Sequence, residues 1–150
     1  MINTLVAQFP ITLNIKQNLE VILSIINQTE DETLAILPEG ALSGYEEDPK
    51  FLGGIDVSQL QMSLQTLREL ATQRNIHLIF GSCLYENGKW FNAGIYYSRD
   101  KEFIYRKVNL ATNERGCFTA GSSLSTIETR INDQPLKLAI QLCREIRFPE

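Results

Sequence analysis

Three side chains that could take part in catalysis stand where apolar runs of this sequence end: Glu39, Lys107 and Cys143. The run before each of them is typical of a buried strand. Open α/β sheets place their ligand sites at the carboxyl ends of strands. If the three strands lie in one sheet, a carboxylate, an ammonium and a thiol meet at one edge. These groups can serve as base, electrostatic stabiliser and nucleophile.

A thiol needs assistance to act as a nucleophile at neutral pH, because its ordinary pKa is about 8.5. Glu39 could accept the thiol proton, and Lys107 could stabilise the resulting anion. The single histidine, His77, stands at the start of a predicted strand and so at the opposite end, which favours a carboxylate as the base. Taken singly, Cys143 also fits an inert buried thiol, and the charged residues fit strand ends or solvated loops.

Three segments around these residues resemble, in the same order, the motifs of the nitrilase or carbon-nitrogen hydrolase superfamily. Residues 37–45 hold a Pro-Glu pair before a loop with glycine and tyrosine, like the first motif. Residues 105–110, then Glu114 and residues 118–121, resemble the lysine motif and the loop with the second glutamate. Residues 143–150 resemble the nucleophile motif. Three motifs in order across nearly the whole chain make the resemblance strong.

The resemblance implies an α-β-β-α sandwich of the nitrilase type and a thiol-dependent hydrolase of non-peptide carbon-nitrogen bonds. The substrate would be a small amide, a nitrile or a carbamoyl compound. Carried over by position, Cys143 is the nucleophile, Glu39 the general base, and Lys107 the stabiliser of the tetrahedral intermediate. Glu114 is the second carboxylate, which positions the substrate or the lysine. The reaction passes through a thioester and requires no metal or organic cofactor.

The resemblance also departs from the family pattern at two points. The family domain normally continues well beyond the cysteine motif, so residues 1–150 correspond to a single incomplete domain, its N-terminal portion. Arg144 stands where many relatives have an aromatic or small residue beside the nucleophile. Because the C-terminal part of the family domain is missing from residues 1–150, we expect a homo-oligomer or a missing C-terminal half as partner. The alternative is an inactive half-domain that acts only as a binding partner.

Composition excludes several other function classes. The 14 Lys and Arg against 18 Asp and Glu give a net charge of -4, the wrong sign for a general nucleic-acid binder. The longest apolar run, residues 76–85, is far shorter than the roughly 18 residues of a membrane span. No signal-like segment follows Met1, so we expect a cytoplasmic protein. Three cysteines without C-x-x-C spacing argue against a disulfide framework and a zinc site.

Periodicity and capping residues predict the elements that position these side chains. Asn14 and Asp56 each have a glutamine three residues later and predict the starts of two helices. Asn87-Gly88 predicts a tight hairpin. The predicted helices cover residues 14–30 and 56–75, and the predicted strands cover residues 3–9, 33–37, 76–85, 90–98, 102–106, 124–129 and 136–142. This order predicts a mixed sheet with two helices on one face.

The predicted order provides no helix for the second face of the sheet. In the predicted strand 136–142, Leu138, Ile140 and Leu142 alternate with more polar or smaller residues, so we expect some apolar side chains to face solvent. A large exposed apolar patch marks an interface or an aggregation hazard. We therefore expect marginal stability, and either self-association or a complementary C-terminal polypeptide.

Overall fold

The structure, a computed structural model, describes residues 1–147. Phe148, Pro149 and Glu150, the end of the segment that resembles the nucleophile motif, lie outside the described residues. The elements in the described part are β1 (Thr4–Val6), α1 (Ile15–Gln28), β2 (Leu34–Ile36), α2 (Val57–Gln73), β3 (His77–Glu86), β4 (Lys89–Tyr97), β5 (Glu102–Arg106), β6 (Thr126–Ile131) and β7 (Gln134–Ala139). Short 3-10 segments cover Pro49–Gly54 and Cys143–Arg147.

The first five strands form one mixed sheet in the order β1-β2-β3-β4-β5. Strands β1, β2 and β3 are parallel, while β4 is antiparallel to both β3 and β5. Strand β5 therefore runs in the same direction as β2, and the residues that follow these two strands reach the same edge. The predicted mixed sheet is confirmed, although β1 and β2 are shorter than predicted.

Both helices begin where the sequence predicts and cover one face of this sheet. The side chain of Asn14 accepts a hydrogen bond from the Gln17 N–H, and Asp56 does the same for the Gln59 N–H. These caps satisfy backbone donors that a helix leaves without partners. The helical residues buried in the core on this face are Ile15, Ile22, Ile26, Leu60, Leu67 and Ala71. The helices pack on the sheet face that carries Leu78 and Phe80.

The second face of the sheet is covered by the β6–β7 hairpin, so the prediction that nothing covers it is wrong. Strands β6 and β7 form a separate two-stranded sheet. Tyr96 and Tyr105 of the main sheet form a second core with Ile127, Ile140 and Leu142. The predicted alternation is real, but the apolar positions face the main sheet because the hairpin lies across it rather than extending it.

A related correction concerns the residues just before the candidate nucleophile. Strand β7 ends at Ala139, and residues 140–142 cross the sheet as irregular chain, so Cys143 does not follow a strand that ends at Leu142. The close approach depends on Gly94 in β4, because a Cβ there would lie 2.4 Å from Cγ2 of Ile140. The chain that leads to Cys143 is thus a segment packed on the face of the sheet rather than one of its strands.

Gly81 in β3 lies directly beneath the backbone of Glu39. A Cβ on Gly81 would lie 2.5 Å from the Glu39 Cα and 2.6 Å from the Gly40 nitrogen. Backbone atoms cannot move aside as a flexible side chain can. We therefore expect Gly81→Ala to lower the free energy of unfolding by about 1–3 kcal/mol, the usual cost of overpacking a core. Urea denaturation measures this.

Gly53→Ala is the matched control, since a Cβ on Gly53 meets no heavy atom within 4 Å. Equal stability of the two alanine variants would show that the loop carrying Glu39 does not rest on Gly81.

Candidate active site

Glu39, Lys107 and Glu114 form one buried ion-pair network at the edge where β2 and β5 end. The Lys107 Nζ lies 3.1 Å from the Glu39 Oε1 and 3.0 Å from the Glu114 Oε1. The side chains of Lys107 and Glu114 are each 1% exposed, whereas that of Glu39 is 21% exposed. Three of the four site residues predicted from the sequence are therefore in direct contact, and only Glu39 is open to solvent.

Asn92 of β4 and Tyr45 complete this network, and the sequence reasoning missed both. The Asn92 Nδ2 donates to the Oε1 atoms of Glu39 and Glu114, at 2.7 Å each. The Tyr45 hydroxyl donates to the Glu114 Oε1 at 3.2 Å, and burial raises the pKa of Tyr45 to about 12, so it stays protonated. Asn92 could have been identified from the sequence, because it is a side-chain amide among the apolar residues of β4.

Charge is retained at Lys107 and Glu114 despite their burial. Burial makes the largest contribution at both residues and disfavours the charged forms. At Lys107 the carboxylates of Glu39 and Glu114 outweigh it, so the pKa of Lys107 lies above its ordinary value of 10.5. At Glu114 the hydrogen bonds from the Ala111 N–H, Asn92 and Lys107 outweigh it, so the pKa of Glu114 lies below 4.5.

The Glu39 carboxylate is held by one oxygen. Within residues 1–147, its hydrogen bonds from Lys107 and Asn92 both go to Oε1. The Oε2 atom of this partly exposed side chain accepts no hydrogen bond from residues 1–147. Oε1 thus fixes the orientation of the carboxylate.

Cys143 is exposed and opens the 3-10 segment Cys143–Arg147. Its φ of 48° lies in the left-handed region, which costs a residue with a Cβ roughly 1–2 kcal/mol. Strain of this kind persists only where the surroundings enforce it. The backbone at Cys143 is therefore held in place by contacts of its neighbours.

Glu145 supplies those contacts, and the sequence reasoning assigned it no role. The side chain is buried, and its Oε2 accepts from the Leu142 N–H at 2.9 Å. Its Oε1 accepts from the backbone N–H groups of Val108 and Asn109 at 2.8 and 3.0 Å, and from the Tyr105 hydroxyl at 2.6 Å. One carboxylate thus ties the turn of Cys143 to the residues that directly follow Lys107. Glu145 could have been identified from the sequence, because it is an acidic residue inside the segment that resembles the nucleophile motif.

Comparison with known proteins identifies the family of this chain. The model of the carbon-nitrogen hydrolase family matches residues 5–150, nearly the whole chain. The chain belongs to the carbon-nitrogen hydrolase family. A probable nitrilase of Schizosaccharomyces pombe is 27% identical over 150 residues, which cover 94% of this chain and 54% of that protein. An (R)-stereoselective amidase of a Pseudomonas species is 26% identical over 143 residues, which cover 91% of this chain and 47% of that protein.

Solved structures show the same fold. A mutant of the amidase from Nesterenkonia sp. AN1 superposes with a TM-score of 0.79 at 16% identity, over 99% of this chain and 58% of that one. In that structure the acetamide moiety of fluoroacetamide is covalently added at the active-site cysteine. This carbon-nitrogen hydrolase chain spans about half the length of the curated relatives it matches.

Cys83, Cys117 and His77 lie outside the network. Cys83 is buried in β3, and burial raises its pKa to about 12, so it stays a thiol. Cys117 is exposed on the loop after Glu114. His77 begins β3 at the opposite edge of the sheet, where its Nδ1 lies 2.7 Å from the Tyr96 hydroxyl oxygen.

Two further observations concern metal ligands and membrane spans. In the part of the chain that the structure describes, no three His, Cys, Asp or Glu side chains come together as metal ligands. Neither α-helix within residues 1–147 has the length and apolar character of a membrane span.

Glu145 is a positioning residue by this geometry, and its substitution tests that role. Glu145→Gln places an N–H₂ group where the Leu142 N–H now finds an acceptor. We expect a stability loss of about 1–3 kcal/mol from the unsatisfied donor. Alkylation of Cys143 should slow, with kcat falling up to about 100-fold and KM less affected, because displacement by 1 Å has that effect.

Glu128→Gln in β6 removes an exposed carboxylate and is the control for stability and for both rates. An unchanged Cys143 alkylation rate in the Glu145 variant would contradict the positioning role.

Proposed function

We propose that this chain carries the active site of a thiol-dependent hydrolase of non-peptide carbon-nitrogen bonds, with small amides as substrates. Nitriles and carbamoyl compounds belong to the same substrate class. The observation that carries the proposal is the buried Glu39–Lys107–Glu114 network, to which Glu145 ties the turn of Cys143. Family membership supports the same chemistry. No metal or organic cofactor takes part in it.

In the first half-reaction, Cys143 attacks the amide. The Glu39 carboxylate takes the proton from Sγ as the sulfur forms a bond to the carbonyl carbon. The carbonyl oxygen becomes an anion, which the Lys107 ammonium stabilises by charge and hydrogen bonding. As the intermediate collapses, Glu39 returns its proton to the nitrogen. The carbon-nitrogen bond breaks, ammonia or an amine leaves, and a thioester remains on Cys143.

In the second half-reaction, water replaces the amine. Glu39 takes a proton from the water molecule while its oxygen attacks the thioester carbon. Lys107 stabilises the second tetrahedral anion in the same way. Collapse breaks the carbon-sulfur bond, the thiolate recovers the proton from Glu39, and the carboxylic acid leaves.

Glu114 acts through Lys107 rather than on the substrate. It shares the ammonium with Glu39 and is fixed by Asn92, Tyr45 and the Ala111 N–H. Two carboxylates around one lysine keep the ammonium charged and aimed at one position. Because the atoms are already oriented, little reorganisation is needed when charge develops.

The proposal is tested by trapping the thioester. The 150-residue chain is incubated with a panel of short aliphatic amides and hydroxylamine, which converts a thioester to a hydroxamate. We expect ammonia release and hydroxamate formation and, in a parallel sample without hydroxylamine, an acyl mass on the peptide that contains Cys143. Ammonia release with no acyl mass on that peptide in the sample without hydroxylamine, or no reaction with any amide when a C-terminal polypeptide is also added, would contradict the proposal.

The length of the chain relative to that of its relatives indicates what kind of partner could complete the substrate pocket. Relatives are about twice as long. We propose that residues 1–150 form a single incomplete domain, its N-terminal portion, and that a second copy or a C-terminal polypeptide completes the substrate pocket. Adding such a polypeptide in the trapping experiment should raise the yield of hydroxamate.

A further inference from the structure

Asn92 of β4 contacts all three charged residues of the network. Its backbone carbonyl accepts a hydrogen bond from the Lys107 N–H at 2.8 Å. Its side-chain Nδ2 donates to the Oε1 atoms of Glu39 and Glu114, at 2.7 Å each. Because a primary amide has two N–H hydrogens, each carboxylate receives one of them. Asn92 is only 2% exposed, so its side chain is held between these two partners away from bulk water.

The two Oε1 atoms that Asn92 bridges have no free position for a proton. Each of them also accepts from the Lys107 Nζ, at 3.1 Å for Glu39 and 3.0 Å for Glu114. Two N–H donors occupy both lone pairs of a carboxylate oxygen, so protonation there would break a hydrogen bond to a charged group. The Glu114 Oε2 accepts from the Ala111 N–H at 2.6 Å. Of the four carboxylate oxygens, only the Glu39 Oε2 accepts no hydrogen bond from residues 1–147.

Without such a bridge, two carboxylates beside one ammonium are expected to share a proton. Like charges at close range disfavour ionisation of both groups, and the proton then lies between them. In this network the shared proton would lie between the two Oε1 atoms, to both of which the Asn92 amide donates. An N–H₂ group donates but does not accept, so it cannot pass a proton from Glu39 to Glu114.

The other titratable groups that interact with these carboxylates keep their own protons. They are Tyr45, in the loop after β2, Cys83 of β3, and Lys107. Burial raises the pKa of Tyr45 and of Cys83 to about 12, so both stay protonated while the carboxylates titrate. Despite its burial, the two carboxylates hold the pKa of Lys107 above its ordinary value of 10.5. The remaining routes for a proton are transfer between the carboxylates, which Asn92 opposes, and uptake at the Glu39 Oε2.

We propose that Asn92 is a positioning residue that prevents Glu39 and Glu114 from sharing a proton and confines the proton accepted by Glu39 to its Oε2 atom. The inference rests on the proposed function for the reaction in which Glu39 accepts that proton. There the proton leaves the Cys143 Sγ for Oε2 while the electron pair of the S–H bond stays on sulfur. The same proton later passes from Oε2 to the departing nitrogen, and Glu114 stays an anion throughout.

A titration of the unaltered 150-residue chain tests the inference without turnover. Carbon-13 is introduced at Cδ of the glutamates, and the NMR signals of Glu39 and Glu114 are assigned from Glu39→Gln and Glu114→Gln. On acidification we expect the Glu39 signal to move in one step, over which the Glu114 signal stays unchanged. Joint movement of both signals in two steps is the signature of a shared proton and would overturn the inference.

Two variants remove the bridge in different ways. Asn92→Leu has a similar shape but donates no hydrogen bond, and Asn92→Asp replaces the amide by a carboxylate, which carries a proton in its acid form. We expect the Glu39 and Glu114 signals to move together in both variants. Asn3→Asp is the matched control, because it makes the same chemical change at an exposed residue and should titrate as the unaltered chain does. Separate titration of the two glutamates in either folded Asn92 variant would contradict the role of the amide.

The pH dependence of hydroxamate formation provides a second measurement. We expect the acid limb of kcat/KM against pH to move up by about one pH unit in Asn92→Leu, the size of one lost hydrogen bond to a charged group. A lower rate with an unmoved acid limb would mean that Asn92 only supports the fold, and would count against the inference. Failure of the proposed function gives a different result: the unaltered chain would form no hydroxamate even with a C-terminal polypeptide added, while Glu39 and Glu114 would still titrate separately.

Discussion

Replacing Cys143 by alanine is expected to abolish amide hydrolysis and hydroxamate formation together. The thioester cannot form without the sulfur, and loss of a catalytic nucleophile lowers kcat by factors on the order of 10⁶. The folded state should be preserved, because Cys143 is exposed and its side chain supports no core contact of the described residues. Ammonia release and thermal melting measure the two effects separately.

Cys117→Ala is the control, since Cys117 is the other exposed thiol. Cys143→Gly adds a second comparison: glycine relieves the φ of 48°, so this variant should be more stable than Cys143→Ala by roughly 1 kcal/mol. Continued turnover in Cys143→Ala would rule out the covalent route.

Replacing Lys107 by methionine is expected to impair both catalysis and stability. The ammonium interacts more strongly with the anionic intermediate than with the neutral amide, so kcat should fall about 10² to 10³-fold with a smaller change in KM. The same change leaves Glu39 and Glu114 facing each other without their cation. Loss of one partner from a buried pair costs about 3–5 kcal/mol in the free energy of unfolding.

The double variant Lys107→Met with Glu114→Gln separates these two effects. The second substitution replaces the buried carboxylate that lost its partner by a neutral amide, so stability should return while activity should not. Recovery of activity in the double variant would mean that the lysine serves only to compensate Glu114.

The pH dependence of stability follows from the same pair. The raised pKa of Lys107 contributes stability in full below its ordinary value of 10.5, and this is lost as the pH rises through the folded-state pKa. The lowered pKa of Glu114 contributes stability above its ordinary value of 4.5, which is lost as the pH falls through the folded-state pKa. In Lys107→Met we expect the first contribution to disappear and the second to weaken, because the hydrogen bonds from the Ala111 N–H and Asn92 to Glu114 remain. Urea denaturation at several pH values measures both.

Local patterns were sufficient to predict most of the fold. The caps at Asn14 and Asp56 mark the helix starts, because an N-cap interaction involves only residues near in sequence. The turn at Asn87-Gly88 joins β3 and β4 as predicted, with Glu86 paired with Lys89. The edge shared by Glu39 and Lys107 also follows from the strand order.

The face of the main sheet on which the β6–β7 hairpin packs could not be predicted from local patterns. Alternation of apolar and polar residues in the segment 136–142 is the same whether a strand extends the main sheet or crosses above it. What distinguishes the two is the space over Gly94, which Ile140 fills. The roles of Asn92 and Glu145 were missed for the same reason, since their partners are distant in the chain.

The wide sequence separations in the network have a consequence for the order of folding. Glu39 and Lys107 are 68 residues apart, and Tyr105 and Glu145 are 40 apart, so no short fragment contains the site. Contacts of long sequence separation form late, because loop closure must come first. Strands β2 to β5 must be assembled before the carboxylates meet the ammonium, and the hairpin must dock before the thiol arrives. During refolding, we therefore expect the docking of the Cys143 turn on Val108 and Asn109 through Glu145 to be the last step.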